Sequence, residues 1–363
     1  MKYLAPDYYP HFHCKISQCR TACCNGWPVS FSVSEYFRLL SVECSPEIRR
    51  KLDIALHLKD HPTEDDYAML LHNYDGSCPL RLPDGRCGLQ ADDGENVLPA
   101  VCRLYPRGIR KGECSCTNSC EAVVELLARA EPIRFVVLDM NTDYPNDTRI
   151  HFFETAGREM EIRLWLIRFI QDRRFPLGHR LAIMGAALKS MDEALSAKDQ
   201  KRIEEWLNEP FRIAPPLLMG EALPIVQQLL GQLKSGSIEH YAAMALDRFT
   251  AEKDIGKTAA DARLRQAEPN WESWFENLLV NHMFFSQFPF QDRPVSLKDE
   301  TYALYAVYAM LRFLTIGAGN GDKAQTADTI AALFRLVDHT AFDRYAVPVL
   351  HKIGADPRAL LTI

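Results

Sequence analysis

At 363 residues, 47% hydrophobic and 25% charged, the chain has the size of two ordinary domains and the composition of a folded globular protein, which excludes disorder and fibrous classes. Its 48 acidic residues exceed 42 basic ones, and the formal charge of −6 is spread along the chain. That excludes the cationic surface of a non-specific nucleic-acid binder. The run before Cys14 lacks the apolar core of a signal peptide, and no stretch reaches the roughly 18 uninterrupted apolar residues of a spanning helix. The expectation is a cytoplasmic protein, not bound to membrane, with reduced thiols.

In chain order, Ser34–Leu40 and Pro46–His57 are predicted as helices, the second with Ser45 as N-cap and Pro46 at its first position. Tyr67–His72 reads as a strand or a helical turn. Asp75–Asn96 is a Gly- and Asp-rich loop carrying Cys78 and Cys87. Glu121–Arg129 reads as a helix and Pro132–Leu138 as a strand. Phe152–Asp172 carries Phe153, Met160, Leu164, Ile167 and Ile170 as an apolar stripe. Further helices are predicted at 178–195, 199–208, 216–234, 238–252, 271–286, 299–316, 323–338 and 342–352, punctuated by Pro215-Pro216, Pro269, Pro289 and Pro294. The expected fold is mainly α. A loop-rich cysteine-cluster region, residues 1–125, packs on a multi-helix domain, residues 126–363.

All 11 cysteines lie between Cys14 and Cys120, and the 243 residues that follow have none. Cys44 suits a small buried hydrophobe. The others lie beside turn-forming residues: Cys23 and Cys24 before Asn25-Gly26, Cys78 before Pro79, Cys87 after Asp84-Gly85-Arg86. Turns leave N–H groups free to solvate sulfur charge, so such thiolates suit a shared metal. The odd count and chain length weigh against a disulfide framework. Paired C-x2-C zinc knuckles are missing, and so is the C-x3-C-x2-C spacing of radical S-adenosylmethionine enzymes. Irregular all-thiolate spacing suits an iron–sulfur cluster, with zinc as the alternative metal. His11 and His13 flank Cys14 but read as solvated.

The run Cys14-Lys15-Ile16-Ser17-Gln18-Cys19-Arg20-Thr21-Ala22-Cys23-Cys24-Asn25-Gly26-Trp27 resembles the opening signature of the flagellin lysine-N-methylase family. So do Cys78-Pro79-Leu80 with Gly85-Arg86-Cys87, Cys102-Arg103-Leu104-Tyr105-Pro106-Arg107, and Cys120-Glu121. Trp274-Phe275-Glu276-Asn277-Leu278-Leu279-Val280-Asn281-His282, running on to Phe288-Pro289-Phe290, is similar to a block in the family's C-terminal third, with Phe275 where the family has a Tyr-type aromatic. The resemblance runs from about Cys14 to Leu314, with the middle, 125–265, carrying no matched motif. It implies methylation of lysine ε-amines on flagellin, with S-adenosylmethionine as donor and a 4Fe–4S cluster in the protein. Eight cysteines match the pattern as metal ligands: Cys14, Cys19, Cys23, Cys24, Cys78, Cys87, Cys102 and Cys120. Eight exceed the four that one cluster needs, so which four bind, and whether a second metal is held, stays open. Cys44, Cys114 and Cys116 are extra.

Glu276 and Asn277 are the catalytic candidates, because a buried Glu-Asn pair in an aromatic helix can hold a lysine or a sulfonium; the competing reading is a helix-packing polar network. Asn281, four residues on from Asn277, shares its face and joins Arg103 and Arg107 as cofactor-binding candidates, the arginines also offsetting thiolate charge. Glu276 or a tyrosine hydroxyl is the candidate for deprotonating the amine. Phe313-Leu314-Thr315-Ile316-Gly317-Ala318-Gly319-Asn320-Gly321-Asp322 imitates the strand and cofactor-binding glycine loop of ordinary methyltransferases. The tyrosines at 302, 305 and 308 give the preceding segment a helical period, so the run reads as a helix–helix turn in which Gly319→Ala costs little. The tyrosine stripe reads as core. The competing functions are a non-enzymatic zinc- or iron-chelating protein and a thiol redox sensor.

Overall fold

The computed structural model describes residues 1–20, 23, 29–110, 112–140, 155, 157–208, 222–232, 236–251, 257–291 and 295–363. Its strands are β1 (Lys2–Pro6), β2 (Val29–Phe31), β3 (Leu56–Leu58), β4 (Ala68–Leu70), β5 (Arg107–Arg110), β6 (Glu113–Cys116) and β7 (Phe135–Asp139). They form a sheet in the order β5-β6-β1-β7 and another in the order β2-β4-β3. Helices dominate: α1 (Val33–Ser41), α2 (Pro46–Ala55), α3 (Gly88–Asp93), α4 (Ala100–Leu104) and α5 (Glu121–Leu126) precede α6 (Glu159–Ile170), α7 (Leu177–Ser196), α8 (Gln200–Asn208), α9 (Ala222–Gln232) and α10 (Glu239–Ala251). Then come α11 (Lys257–Ala267), α12 (Trp271–Phe285), α13 (Leu297–Ala318), α14 (Lys323–His339) and α15 (Phe342–Ile353). The protein is mainly α.

The chain divides into two compact units. The cysteine-bearing unit is His13–Gly108 with Cys120–Ala122; the helical unit is Met1–Phe12, Ile109–Ser119 and Val123–Ile363. The first twelve residues and β6 therefore belong with the helices, although they fall inside residues 1–125.

In the cysteine-bearing unit, Ser32 caps α1 and Glu35 answers it, a reciprocal capping box that satisfies the first orphan N–H groups. α2 starts at Pro46 as expected, but the Ser45 side chain makes no cap bond; its N–H instead donates to Asp92 Oδ2 at 2.8 Å. Val29, Phe31, Leu39, Ile48, Leu52, Leu70 and Leu89 are buried together with Cys78, and Cys44 and Cys87 pack against them.

In the helical unit, β1 pairs antiparallel with β7 from Lys2–Asp139 to Pro6–Phe135 and parallel with β6. The predicted strand at 132–138 is β7. Its partner β1 was not legible, because a five-residue strand is stabilised by partners over 100 residues away, not by its own pattern. Arg163 on α6 donates both Nη atoms to the Glu113 carboxylate at 2.7 and 2.9 Å, tying helix to sheet. α13 is long and apolar enough to cross a membrane, but 94% of its most apolar window is buried inside the protein, which makes it the central core helix. Tyr305 and Tyr308 on it are core residues, as expected, and Tyr305 donates to Leu181 O at 3.3 Å.

The expected helix at 152–172 is seen as α6, and that at 216–234 as α9; residues 152–154, 216–221 and Pro294 lie outside the described residues, as do Cys24 and Asn25-Gly26. α11 was not expected. The glycine run joins two helices: α13 ends at Ala318 and α14 begins after Asp322, whose carboxylate accepts from Ala324 N and Gln325 N. One expectation is corrected. A Cβ on Gly319 would lie against the Thr315 carbonyl oxygen, which is backbone and has little room to yield, so Gly319→Ala disturbs the end of α13 and is not mild.

Candidate functional site

α12 carries a buried polar row inside an aromatic helix. Glu276 Oε1 and Oε2 accept from Arg173 Nη2 and Nε at 2.9 Å each, and Oε2 also accepts from Arg180 Nη1 at 2.6 Å. Those hydrogen bonds hold the Arg173 guanidinium above the ordinary arginine range. Asn277 Oδ1 accepts from Ile133 N at 3.1 Å, and its Nδ2 reaches the carbonyls of Leu127, Arg129 and Glu131 at 3.1–3.2 Å. Asn281 Nδ2 donates to Cys116 O at 2.8 Å and Asn118 Oδ1 at 2.7 Å, while its Oδ1 accepts from Tyr8 Oη at 2.6 Å. Burial, more than the neighbouring Cys116, pushes the Tyr8 hydroxyl well above the tyrosine range.

All three residues are fully buried. Each has its polar atoms engaged by protein partners, which is the helix-packing network. As placed, Glu276 is an anchor between two guanidiniums, Asn277 a brace for the 127–133 segment, and Asn281 a clamp on β6. Arg103, on α4, is exposed, and Arg107, on β5, is half-buried; both belong to the cysteine-bearing unit, whereas Asn281 belongs to the helical one.

The residue after Asn281 behaves differently. His282 lines a cavity of about 160 Å³ within the helical unit. Its Nδ1 lies 2.7 Å from Asp338 Oδ1, and its ring packs 5.5 Å from that of Phe334. The other carboxylate oxygen, Asp338 Oδ2, accepts from Thr117 Oγ1 at 2.5 Å and Asn118 N at 3.2 Å. Asn118 in turn donates through Nδ2 to Leu278 O at 2.8 Å, one turn before His282 on α12. Apolar walls come from Leu304, Val307, Val337 and Phe342, and charged ones from Glu300, Asp338, Asp343 and Arg110. Gln291 Nε2 holds Glu300 Oε2 at 2.6 Å. His282 stood in the matched block without a role. Its partner lies 56 residues away on α14, so no local spacing announced the pair.

The cysteines with ligand expectations that are described, Cys14, Cys19, Cys23, Cys78, Cys87, Cys102 and Cys120, belong to the cysteine-bearing unit. Cys114 and Cys116 are buried on β6 of the helical unit. Ile16, in the left-handed region at φ 54°, turns its N–H onto Cys14 Sγ at 3.3 Å; a β-branched residue adopts that conformation only at a cost. The Cys19 thiol is pushed up to about 11, first by burial and then by Glu121, Cys120 and Cys14, with Lys15 opposing. Glu121 is buried and accepts from Arg20 N at 3.1 Å and Lys15 Nζ at 3.5 Å.

Cys78 and Cys87 flank a tight loop closed by Gly88 N to Leu80 O and Leu82 N to Arg86 O, both 2.8 Å. Gly85 there sits at φ 87°, where a side chain would be strained. Among the described residues no three His, Cys, Asp or Glu side chains are close enough to share one ion. The donor chemistry fits a metal, while the placement alone names no ligand set.

Residues 163–343 match the model of the FliB lysine N-methylase C-terminal domain. That span begins at Arg163 on α6, contains α12, α13 and α14, and includes His282, Glu300, Asp338 and Asp343 of the cavity. Two curated relatives, each called "Lysine-N-methylase", from Salmonella choleraesuis (strain SC-B67) and Salmonella typhimurium (strain LT2), are 24% identical over 344 residues, covering 85% of this chain and 84% of theirs. No solved structure matches the chain. With the domain match and both relatives pointing the same way, the chain belongs to the lysine N-methylase family.

Proposed function

We propose that the protein is a cytoplasmic, S-adenosylmethionine-dependent methyltransferase that methylates lysine side chains of flagellin. The observation that carries this reading is the cavity inside the family-matched span. Its aliphatic walls suit a lysine's methylenes, and its three carboxylates against one guanidinium suit the cationic end. At about 160 Å³ it falls below the roughly 300 Å³ at which pockets enclose drug-sized molecules. It therefore suits one inserted side chain better than a whole methyl donor.

The chemistry required is set by the substrate. A lysine amine, with a reference pKa near 10.4, is more than ~99% protonated at neutral pH, and only the neutral amine attacks a methyl group. The protein's task is to bind the ammonium, exclude water and take a proton. A sulfonium donor supplies an electrophilic methyl when bound.

The cysteine-bearing unit is proposed to hold a 4Fe–4S cluster, with zinc as the alternative. Cys14, Cys19, Cys23, Cys24, Cys78, Cys87, Cys102 and Cys120, the cysteines that match the family pattern, form the proposed thiol set. The cluster would supply charge and local order there, and no step of methyl transfer is routed through it.

Mass spectrometry of flagellin from cells with and without the protein tests the function. Lysines should be heavier by about 14 Da per methyl, with charge retained, only when the protein is present. The chelating and redox-sensor readings expect identical masses in both strains. Identical masses with flagellin well expressed would reject the flagellin methylase reading.

A further inference from the structure

We infer that His282 is the general base of methyl transfer and Asp338 its positioning residue, an assignment that rests on the methyltransferase reading of the same cavity. Of the polar residues in the matched block of α12, Glu276, Asn277 and Asn281 have their polar atoms engaged by protein partners. His282 alone among these four lines the cavity. With Nδ1 directed to Asp338 Oδ1 at 2.7 Å, the neutral ring carries its proton on Nδ1 and leaves Nε2 as the acceptor.

The carboxylate cannot drift from the ring. Asp338 Oδ2 is held by Thr117 Oγ1 and Asn118 N, and the Asn118 side chain is pinned to Leu278 O on α12 itself. A closed circuit of Leu278, Asn118, Asp338 and His282 thus fixes the ring's orientation and tautomer. Such support is what a general base requires. The charged groups lining the cavity with His282 are Asp338 on α14, Glu300 on α13, Asp343 on α15 and Arg110 on β5.

The step balances as follows. A proton passes from the lysine ammonium to His282 Nε2. The freed nitrogen lone pair bonds the methyl carbon of a sulfonium donor, and the C–S bonding pair departs on sulfur as a neutral thioether. The positive charge moves to the N-methylammonium product, and the imidazolium returns its proton to solvent.

The test measures methyl transfer to purified flagellin from S-adenosylmethionine by the full-length wild type, His282→Gln and Asp338→Asn between pH 7 and 9.5. For His282→Gln at pH 7, kcat should fall about 10²–10⁴-fold, with KM for flagellin within threefold of wild type. The deficit should then shrink by roughly tenfold per pH unit, as the free amine fraction rises without enzymatic help. Asp338→Asn should show a smaller deficit with the same trend. A purely structural role gives a deficit that is constant with pH, and that outcome overturns the assignment, as does a His282→Gln rate within threefold of wild type. A wild type that transfers no methyl at any pH overturns the methyltransferase reading and this assignment with it. Should the variants not fold, diethyl pyrocarbonate on the folded wild type carries the test. Activity should fall in step with modification mapped to His282 and return with hydroxylamine; activity retained with His282 modified overturns the assignment.

Discussion

Arg180 Nη1 lies 2.6 Å from Glu276 Oε2, and both side chains are almost wholly buried, 4% and 0% exposed. The pair joins α7 to α12, and Arg173 adds two further hydrogen bonds from the partly exposed side. A carboxylate held this way is an anchor, and its removal strands a guanidinium in the interior.

Glu276→Ala should therefore destabilise the folded protein by about 3–5 kcal/mol, the range for breaking one partner of a buried ion pair. Denaturant unfolding measures it. A change below about 1 kcal/mol would show that Arg180 finds another acceptor and that the anchor is dispensable.

The glycine run offers a separate check. Asp322 caps α14 through its carboxylate, so Asp322→Ala should cost about 1 kcal/mol and leave the dissociation constant for S-adenosylmethionine unchanged. A large loss of donor affinity with the fold intact would instead make the Gly317–Asp322 run part of a cofactor site.

Thiol reactivity should follow burial and local charge. Cys14, Cys23 and Cys102 are exposed, while burial pushes the Cys19 and Cys114 thiols up to about 11. In metal-free protein at pH 8, iodoacetamide should label the exposed thiols first and Cys19 and Cys114 last. Anaerobic protein should carry iron and inorganic sulfide, lost with Cys19→Ser and kept with Cys114→Ser, which sits on β6 of the helical unit. Equal iron in both variants would remove Cys19 from the ligand set.

Burial holds His339 below the ordinary histidine value, outweighing the opposing influence of Asp338. The folded protein then takes up this proton at lower pH than the unfolded chain does. Between the depressed folded value and the unfolded value near 6.5, the unfolded state binds more protons, so stability falls as pH drops through that window. Above it the contribution is constant. His339→Gln should flatten the decline in thermal midpoint between pH 7 and 5, while a glutamine amide retains a partner for Ser119 Oγ, now 2.8 Å from His339 Nε2. An unchanged slope would assign the pH dependence to other groups.

The sequence by itself determined the mainly α class, most helix positions from α6 to α15, the family resemblance, and the confinement of thiols to the first third of the chain. Those features are local: apolar periodicity, proline and glycine punctuation, and spacing along one strand of chain. It also offered a helix-packing network for Glu276 and Asn277 as one of two readings, and the arginines at 173 and 180 place Glu276 in such a network. The tertiary structure alone decided that β1 completes a sheet with β6 and β7, that Gly319 is crowded by Thr315, and that His282 meets Asp338. Each depends on groups brought together by the folded backbone, and for β1 and His282 the partners are distant in sequence. A histidine's chemistry is set by what stands 2.7 Å from its ring, and that neighbour is chosen by the packing of α12 beside α14, which no window of sequence contains.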